Sequence, residues 1–213
     1  MKTIPCLPTL PALLLVLFLF WLAPLQANSI NIPGIDGNEI PANLCVVDTS
    51  SGTWAFLPTK LQQEDNGFVA NSKSPSGSTF EIKGTFEKVG DSMKCKIKWE
   101  GAEGLDSGFI MIVPVIPVDE VSGAEVVAGS KKISIPKMLN DENVTSYISN
   151  ITDFTFGPWN GHQFSFTFDA PIEVNGLVMG HKDFFHLRLR LTDKNSGIPA
   201  SGEVGWTMSK ATP

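Results

Sequence analysis

The chain has 213 residues, with 16 Lys and Arg against 22 Asp and Glu, and a formal net charge of −6 at pH 7. A net-negative chain with no Lys/Arg block offers no electrostatic footprint for nucleic acid or an anionic membrane surface, so neither is expected as a partner. Without its first 27 residues, 186 remain, with 15 basic and 22 acidic groups for a net of −7, enough for one domain with a real core.

Met1-Lys2 is a short positive n-region, Leu13–Leu22 an apolar h-region, and Pro24 breaks the helix before Ala27 at a cleavage edge. This is the pattern of a signal peptide over 1–27, with the mature start near Asn28. The apolar stretch falls short of the ~20 residues a spanning helix needs, so cleavage is expected rather than anchoring. The mature protein is then secreted or periplasmic, with no membrane span. Cys6 leaves with the leader, and Cys45 and Cys95 remain. In an oxidising compartment they are expected to form one disulfide, closing a loop of about 50 residues worth roughly 3–4 kcal/mol. Neither has His or carboxylate partners at ligand spacing, so no metal and no other cofactor is expected.

Residues 28–43, with Pro33-Gly34, Asp36-Gly37-Asn38 and Pro41, read as an extended lead-in to a single domain over 44–213. Leu44-Cys45-Val46-Val47 is an apolar strand. In Thr79–Trp99, Phe80, Ile82, Gly84 and Phe86 alternate with polar residues, as do Met93, Cys95, Ile97 and Trp99 after a turn at Val89-Gly90. Such a turn pairs Phe80 with Trp99, Ile82 with Ile97 and Gly84 with Cys95 on one buried face. Cys95 then points into the core, with room left by Gly84, and its bond to Cys45 would pin sheet to sheet. Phe109–Val118 is apolar on both sides but holds Pro114 and Pro117, which cannot donate to a ladder, so it is expected to bend or run to an edge. Val121–Ile135 reads as a short strand pair. Leu139, Val144, Tyr147, Ile148 and Ile151 recur at helical spacing, which allows one short helix near 139–151.

The last third alternates again. Phe164, Phe166 and Phe168 oppose Gln163, Ser165, Thr167 and Asp169, while Phe185, Leu187, Leu189 and Leu191 oppose Phe184, His186, Arg188 and Arg190. Ser201–Ser209, with Val204 and Trp206, is the closing strand. Short alternating runs between turn clusters predict an all-β fold, an antiparallel two-sheet β-sandwich of jelly-roll type.

Gly-rich phosphate loops, nucleophile elbows, His-Glu-x-x-His and Cys-x-x-Cys are absent from the sequence, and no catalytic residue is assigned. His162, His181 and Asp183 lie at strand starts but read as solvated turn residues rather than a zinc site. A polar sheet face is the better candidate. If strand 162–169 lies beside strand 183–192, Gln163 and Asp169 share a surface with His186, Arg188 and Arg190, where amide, carboxylate and guanidinium groups can bond sugar hydroxyls or anions. Trp159, in the turn-rich Gly157-Pro158-Trp159-Asn160-Gly161, is the Trp whose setting suits an exposed stacking platform; the alternative is a solvated face with Asp169–Arg ion pairs and Trp159 capping the core. Two sequons, at Asn143 and Asn150, are what chance gives for this composition and do not decide glycosylation.

The stretch Phe164–Pro171, through Asp193-Lys194-Asn195-Ser196-Gly197 to Trp206, resembles the closing strands of family-9-type carbohydrate-binding modules, where a proline-containing strand leads to an Asp-rich turn and a final Trp strand. The resemblance implies sugars as ligands to test. The expected function is therefore a secreted, non-catalytic binding module for carbohydrate or another extracellular surface. The alternatives are a structural or assembly protein of the envelope or matrix, pairing through the strand 109–118 edge, and then a glycan-acting enzyme.

Overall fold

Alternation places the strands. In β6 (Thr79–Val89) and β7 (Ser92–Glu100) the apolar positions are buried, while Lys83, Thr85, Lys94, Lys96 and Lys98 stay in solvent. The expected hairpin forms, with its register displaced by two residues: Ile82 faces Trp99, Phe86 faces Cys95 and Val89 faces Ser92. The turn is therefore Gly90-Asp91. Gly90 has φ +59 at the first central position, where a type II′ turn favours glycine. A shift of two preserves the faces, so Cys95 still points inward. The space at Gly84 belongs to Phe68 of β5 (Gly67–Lys73): a Cβ at 84 would lie 2.1 Å from Phe68 Cε1.

The computed structural model describes residues 28–35, 37, 39–101, 105–135, 146–179, 183–193 and 195–211. The remaining elements are β1 (Ser29–Pro33), β2 (Glu39–Asp48), β3 (Ala55–Phe56), β4 (Thr59–Glu64) and β8 (Gly108–Pro117). After them come α1 (Val118–Val121), β9 (Glu125–Ala128), β10 (Lys131–Ser134), β11 (Ser146–Trp159), β12 (His162–Met179), β13 (Phe184–Arg190) and β14 (Ser201–Lys210). Residues 28–43, read as a lead-in, supply β1 and the first half of β2. The expected strand pair in 121–135 is β9–β10.

The strands form one antiparallel sheet in the order β1-β2-β8-β13-β12-β14-β7-β6-β5-β4, with β3, β9, β10 and β11 attached. This all-β fold is nearly a barrel; the two separate sheets of a sandwich are not seen. The long β12 prevents the separation. Phe164–Phe168 pair with β14, whereas Glu173–Met179 pair with β13, so one strand belongs to both halves. At the far ends of the order, Gln63 of β4 bonds the backbone of Asn31 in β1.

Three further expectations change. β8 is not an edge, because it pairs with β2 and β13. Its pairing with β2 stops at Pro114, and the same proline lies in a gap of the β13 ladder between Ile112 and Val115, which removes the need for its missing N–H. Tyr147, Ile148 and Ile151 belong to strand β11 rather than a helix, and residues 139–145 of that reading lie outside the described residues, as does the leader 1–27.

The disulfide is also absent: Cys45 and Cys95 are buried and unbonded. Cys45 points outward into a cluster with Val47, Phe109, Met111 and Val113, whereas Cys95 points into the main core. In the strand order, β8, β13, β12 and β14 lie between their two strands. A disulfide needs Cβ atoms about 4 Å apart, which opposite faces of distant strands cannot supply.

Inside, Phe154 stacks on Phe166 at 4.7 Å between ring centroids, Phe168 on Trp206 at 5.7 Å, and Phe156 on Phe185 at 6.1 Å. Each fully buried aromatic contributes roughly 1.5–3 kcal/mol through surface removed from water. An apolar space of about 20 Å³ between Ile32, Phe156, Leu187 and Met208 is too small for anything beyond a water. Among the described residues no helix is long and apolar enough to cross a membrane.

Candidate ligand-binding face

β13 sets the site. Phe185, Leu187 and Leu189 enter the core, so Phe184, His186, Arg188 and Arg190 take the outer face. Register adds their neighbours: Arg190 faces Glu173 and Met111, Arg188 faces Asn175, and His186 faces Val115. One strand further, Tyr147 faces Asn175, Ser149 faces Glu173, and Cys45 faces Met111. Cys45, Val47, Phe109, Met111 and Val113 form an apolar floor separate from the main core.

Trp54 covers part of that floor. The Asp48 carboxylate accepts bonds from Ser50 N–H at 2.9 Å and Ser50 Oγ at 3.0 Å, and Gly52 N–H bonds Thr49 O at 2.9 Å. Such Asx-turn chemistry folds the chain back at the end of β2. Trp54 then meets Phe109 edge-on at 5.1 Å. The Arg188 and Arg190 guanidinium carbons lie 5.3 and 5.7 Å from the Trp54 ring centroid, within cation–π range.

The two arginines differ. Arg190 is 6% exposed, pairs with the Glu173 carboxylate and lies 4.1 Å over the Phe109 ring. Ser149 Oγ donates to the other Glu173 oxygen at 3.1 Å. Arg188 is half-buried; burial lowers its pKa, while nearby Tyr147 and Cys45 act in the opposite direction. Burial pushes the Cys45 thiol up to about 12, against the pull of Arg188. Burial, helped by the Arg188 charge, pushes His186 down to about 4, so its imidazole is neutral at physiological pH.

Trp54, Phe56, Tyr147 and Phe184 are exposed on this face, and of the exposed large hydrophobics among the described residues only Val89, at the β6–β7 turn, lies elsewhere. Scattered single exposures are ordinary; here four lie on one side of the sheet, spread from Phe56 beside Val47 to Phe184 opposite Pro117.

The six residues singled out from sequence fall into separate places. His186, Arg188 and Arg190 share this face; Trp159, Gln163 and Asp169 do not. Trp159 is half-buried against Phe156 and Phe164, and its Nε1 donates to Glu120 Oε2 at 2.8 Å. Gln163 lies half-buried near the start of β12, where its carbonyl accepts Ala211 N–H at 2.8 Å. Asp169 stands where β12 changes partners, its Oδ1 accepting Gly205 N–H at 2.9 Å. The expected neighbours of β13 are thus replaced by Glu173 and Asn175, further along the same strand.

Sequence reasoning missed Trp54, Tyr147 and Glu173 as members of the face. The turn cluster Asp48–Gly52 was the available signal for Trp54, since it predicts exposure as the loop around Trp159 does. Among the described residues no group of three or more His, Cys, Asp or Glu is placed to hold a metal; His181 lies outside them.

No family model matches the chain, and no curated protein matches it. Among solved structures, the Slr1438 protein from Synechocystis sp. PCC 6803 is similar over 89% of this chain and 77% of that one, at 12% identity and a TM-score of 0.46. A likeness at that level says nothing of function.

Proposed function

We propose that this protein is a non-catalytic binding module acting outside the cytoplasm, and that a glycan docks on the outer face of β3, β2, β8, β13, β12 and β11. One observation carries the reading: Trp54, Phe56, Tyr147 and Phe184 are exposed together on that face, above a sealed apolar floor. Aromatic rings give sugars a stacking surface, and the polar edges of Trp and Tyr add hydrogen bonds. The leader read over 1–27 supports an extracellular setting. Chemistry on the glycan is disfavoured, because glycoside hydrolysis uses two carboxylates flanking one bond. Glu173, the carboxylate beside the arginines, is already held by Arg190 and Ser149.

The test is a glycan array probed with wild-type protein and the Trp54→Ala and Tyr147→Ala variants. Selective, saturable binding is expected, weakened about tenfold or more by either variant, with little change in thermal midpoint for Tyr147→Ala, whose side chain is the more exposed of the two. Binding that survives both substitutions would move the ligand off this face. The same exposed rings also suit assembly, since β3 ends in the largely exposed Phe56; light scattering showing a Trp54-dependent oligomer would favour that reading.

A further inference from the structure

The other half of the sheet carries a feature that the aromatic face does not use. Between β6–β7 and β14–β12 runs an open groove of about 590 Å³. Its floor is backbone, because Cys95, Phe168 and Trp206 turn their side chains into the core and Gly205 has none. Gly205 faces Lys96 across the ladder, and the Asp169 carboxylate stands over it from β12. A Cβ at 205 would lie 2.8 Å from Asp169 Oδ2, so the missing side chain both opens the groove and lets the carboxylate in. With Oδ1 held by Gly205 N–H at 2.9 Å, Asp169 is fixed in place before any ligand arrives.

Charge and hydrogen-bonding capacity define what fits. Glu87 faces Lys94 across β6–β7, and Asp169 is the carboxylate of the opposite wall. Lys94 and Lys96 line the groove beside these two carboxylates, so both signs of charge border it. Glu203, outside the groove, draws Lys96 to one side at 3.3 Å. An anion meets Glu87 and Asp169, and a cation meets the two lysines, so either sign gains from one pair and loses to the other. A hydroxyl suits both, donating to a carboxylate and accepting from an ammonium. The hydroxyls of Thr85, Thr167 and Thr207 donate or accept as required.

We infer that this groove is a second binding site, for a neutral, hydroxyl-rich ligand of the short-oligosaccharide class, independent of the aromatic face. Its volume lies within the roughly 300–1,000 Å³ of small-molecule sites.

The experiment is an NMR titration of the protein expressed from its full-length sequence. The probes are maltose, cellobiose, lactose and sucrose, with glucuronic acid as the charged control. At least one neutral disaccharide is expected to give saturable amide shifts at Lys94, Lys96, Gly205 and Thr207. Lys94→Ala, an exposed change that leaves the core intact, should weaken that binding about tenfold. Gly205→Ala, which displaces the Asp169 carboxylate, should do the same, while Trp54→Ala should leave it unchanged. The inference is overturned if none of the neutral sugars shifts these amides, if glucuronic acid binds there more tightly, or if Lys94→Ala has no effect. Shifts that map to Trp54 and Tyr147 and vanish in Trp54→Ala would also remove it, while upholding the aromatic face.

Discussion

Gln63 holds Asn31 much as a neighbouring strand would: its Oε1 accepts Asn31 N–H at 3.3 Å and its Nε2 donates to the Asn31 carbonyl at 3.4 Å. The same Nε2 donates to Gly67 O at 2.9 Å, which anchors the amide to its own hairpin. One side chain therefore joins the two ends of the strand order. Gln63→Ala should cost about 1 kcal/mol and speed amide exchange at Asn31 more than in the central strands. Unchanged exchange in β1 would show that the seam is held by packing instead.

Gly84 is required by Phe68. The ring occupies the space where a Cβ would be, and Phe68 is fully buried. Gly84→Ala should destabilise by about 2–3 kcal/mol through overpacking. Phe68→Leu alone also destabilises, but combined with Gly84→Ala its cost should shrink, because the clash is relieved. Thermal or urea unfolding of the four proteins gives the coupling, and simple additivity would separate the two sites.

These contacts show how far sequence patterns reach. Period two gives the faces of β6, β7, β12 and β13, because each has one apolar side. It fails at Leu44-Cys45-Val46-Val47 and at Phe109–Val113, where both faces are buried and alternation disappears. There Cys45 could be assigned to either side, and the disulfide reading followed from the wrong one. Strand order is equally hidden. His162–Met179 spans more residues than one partner can use, and the pattern carries no sign that β14 gives way to β13 near Asp169. Alternation along β13 puts His186, Arg188 and Arg190 on one face, whereas Glu173 and Tyr147 join them only through the register.

The free thiols are directly measurable. Burial pushes Cys45 and Cys95 each up to about 12, so neither forms the nucleophilic thiolate at neutral pH. Folded protein should resist iodoacetamide at pH 8, and unfolding without reductant should release both thiols for alkylation. A mass two hydrogens lower, with Cys45 and Cys95 unreactive after unfolding, would mean a disulfide and a different packing of β2 against β7.

His186 makes the stability of the protein sensitive to acid. Its folded pKa is about 4, against about 6.5 for an unfolded histidine. Between these values the unfolded chain binds a proton that the folded one refuses. Stability from this group is therefore complete above about pH 6.5, declines as pH falls through the window, and levels off below about 4. Discounted for the partial exposure of the ring, the loss is about 1–2 kcal/mol. Carboxylates such as Glu100, held low by Lys98, also lose stabilisation in acid, so total stability cannot isolate the histidine. The difference between wild type and His186→Gln can. The gap between their unfolding free energies should change steadily from pH 6.5 to 4, with the wild type losing more. A constant gap would mean that His186 takes its proton in place beside Arg188, and the ligand face would then gain positive charge in mild acid.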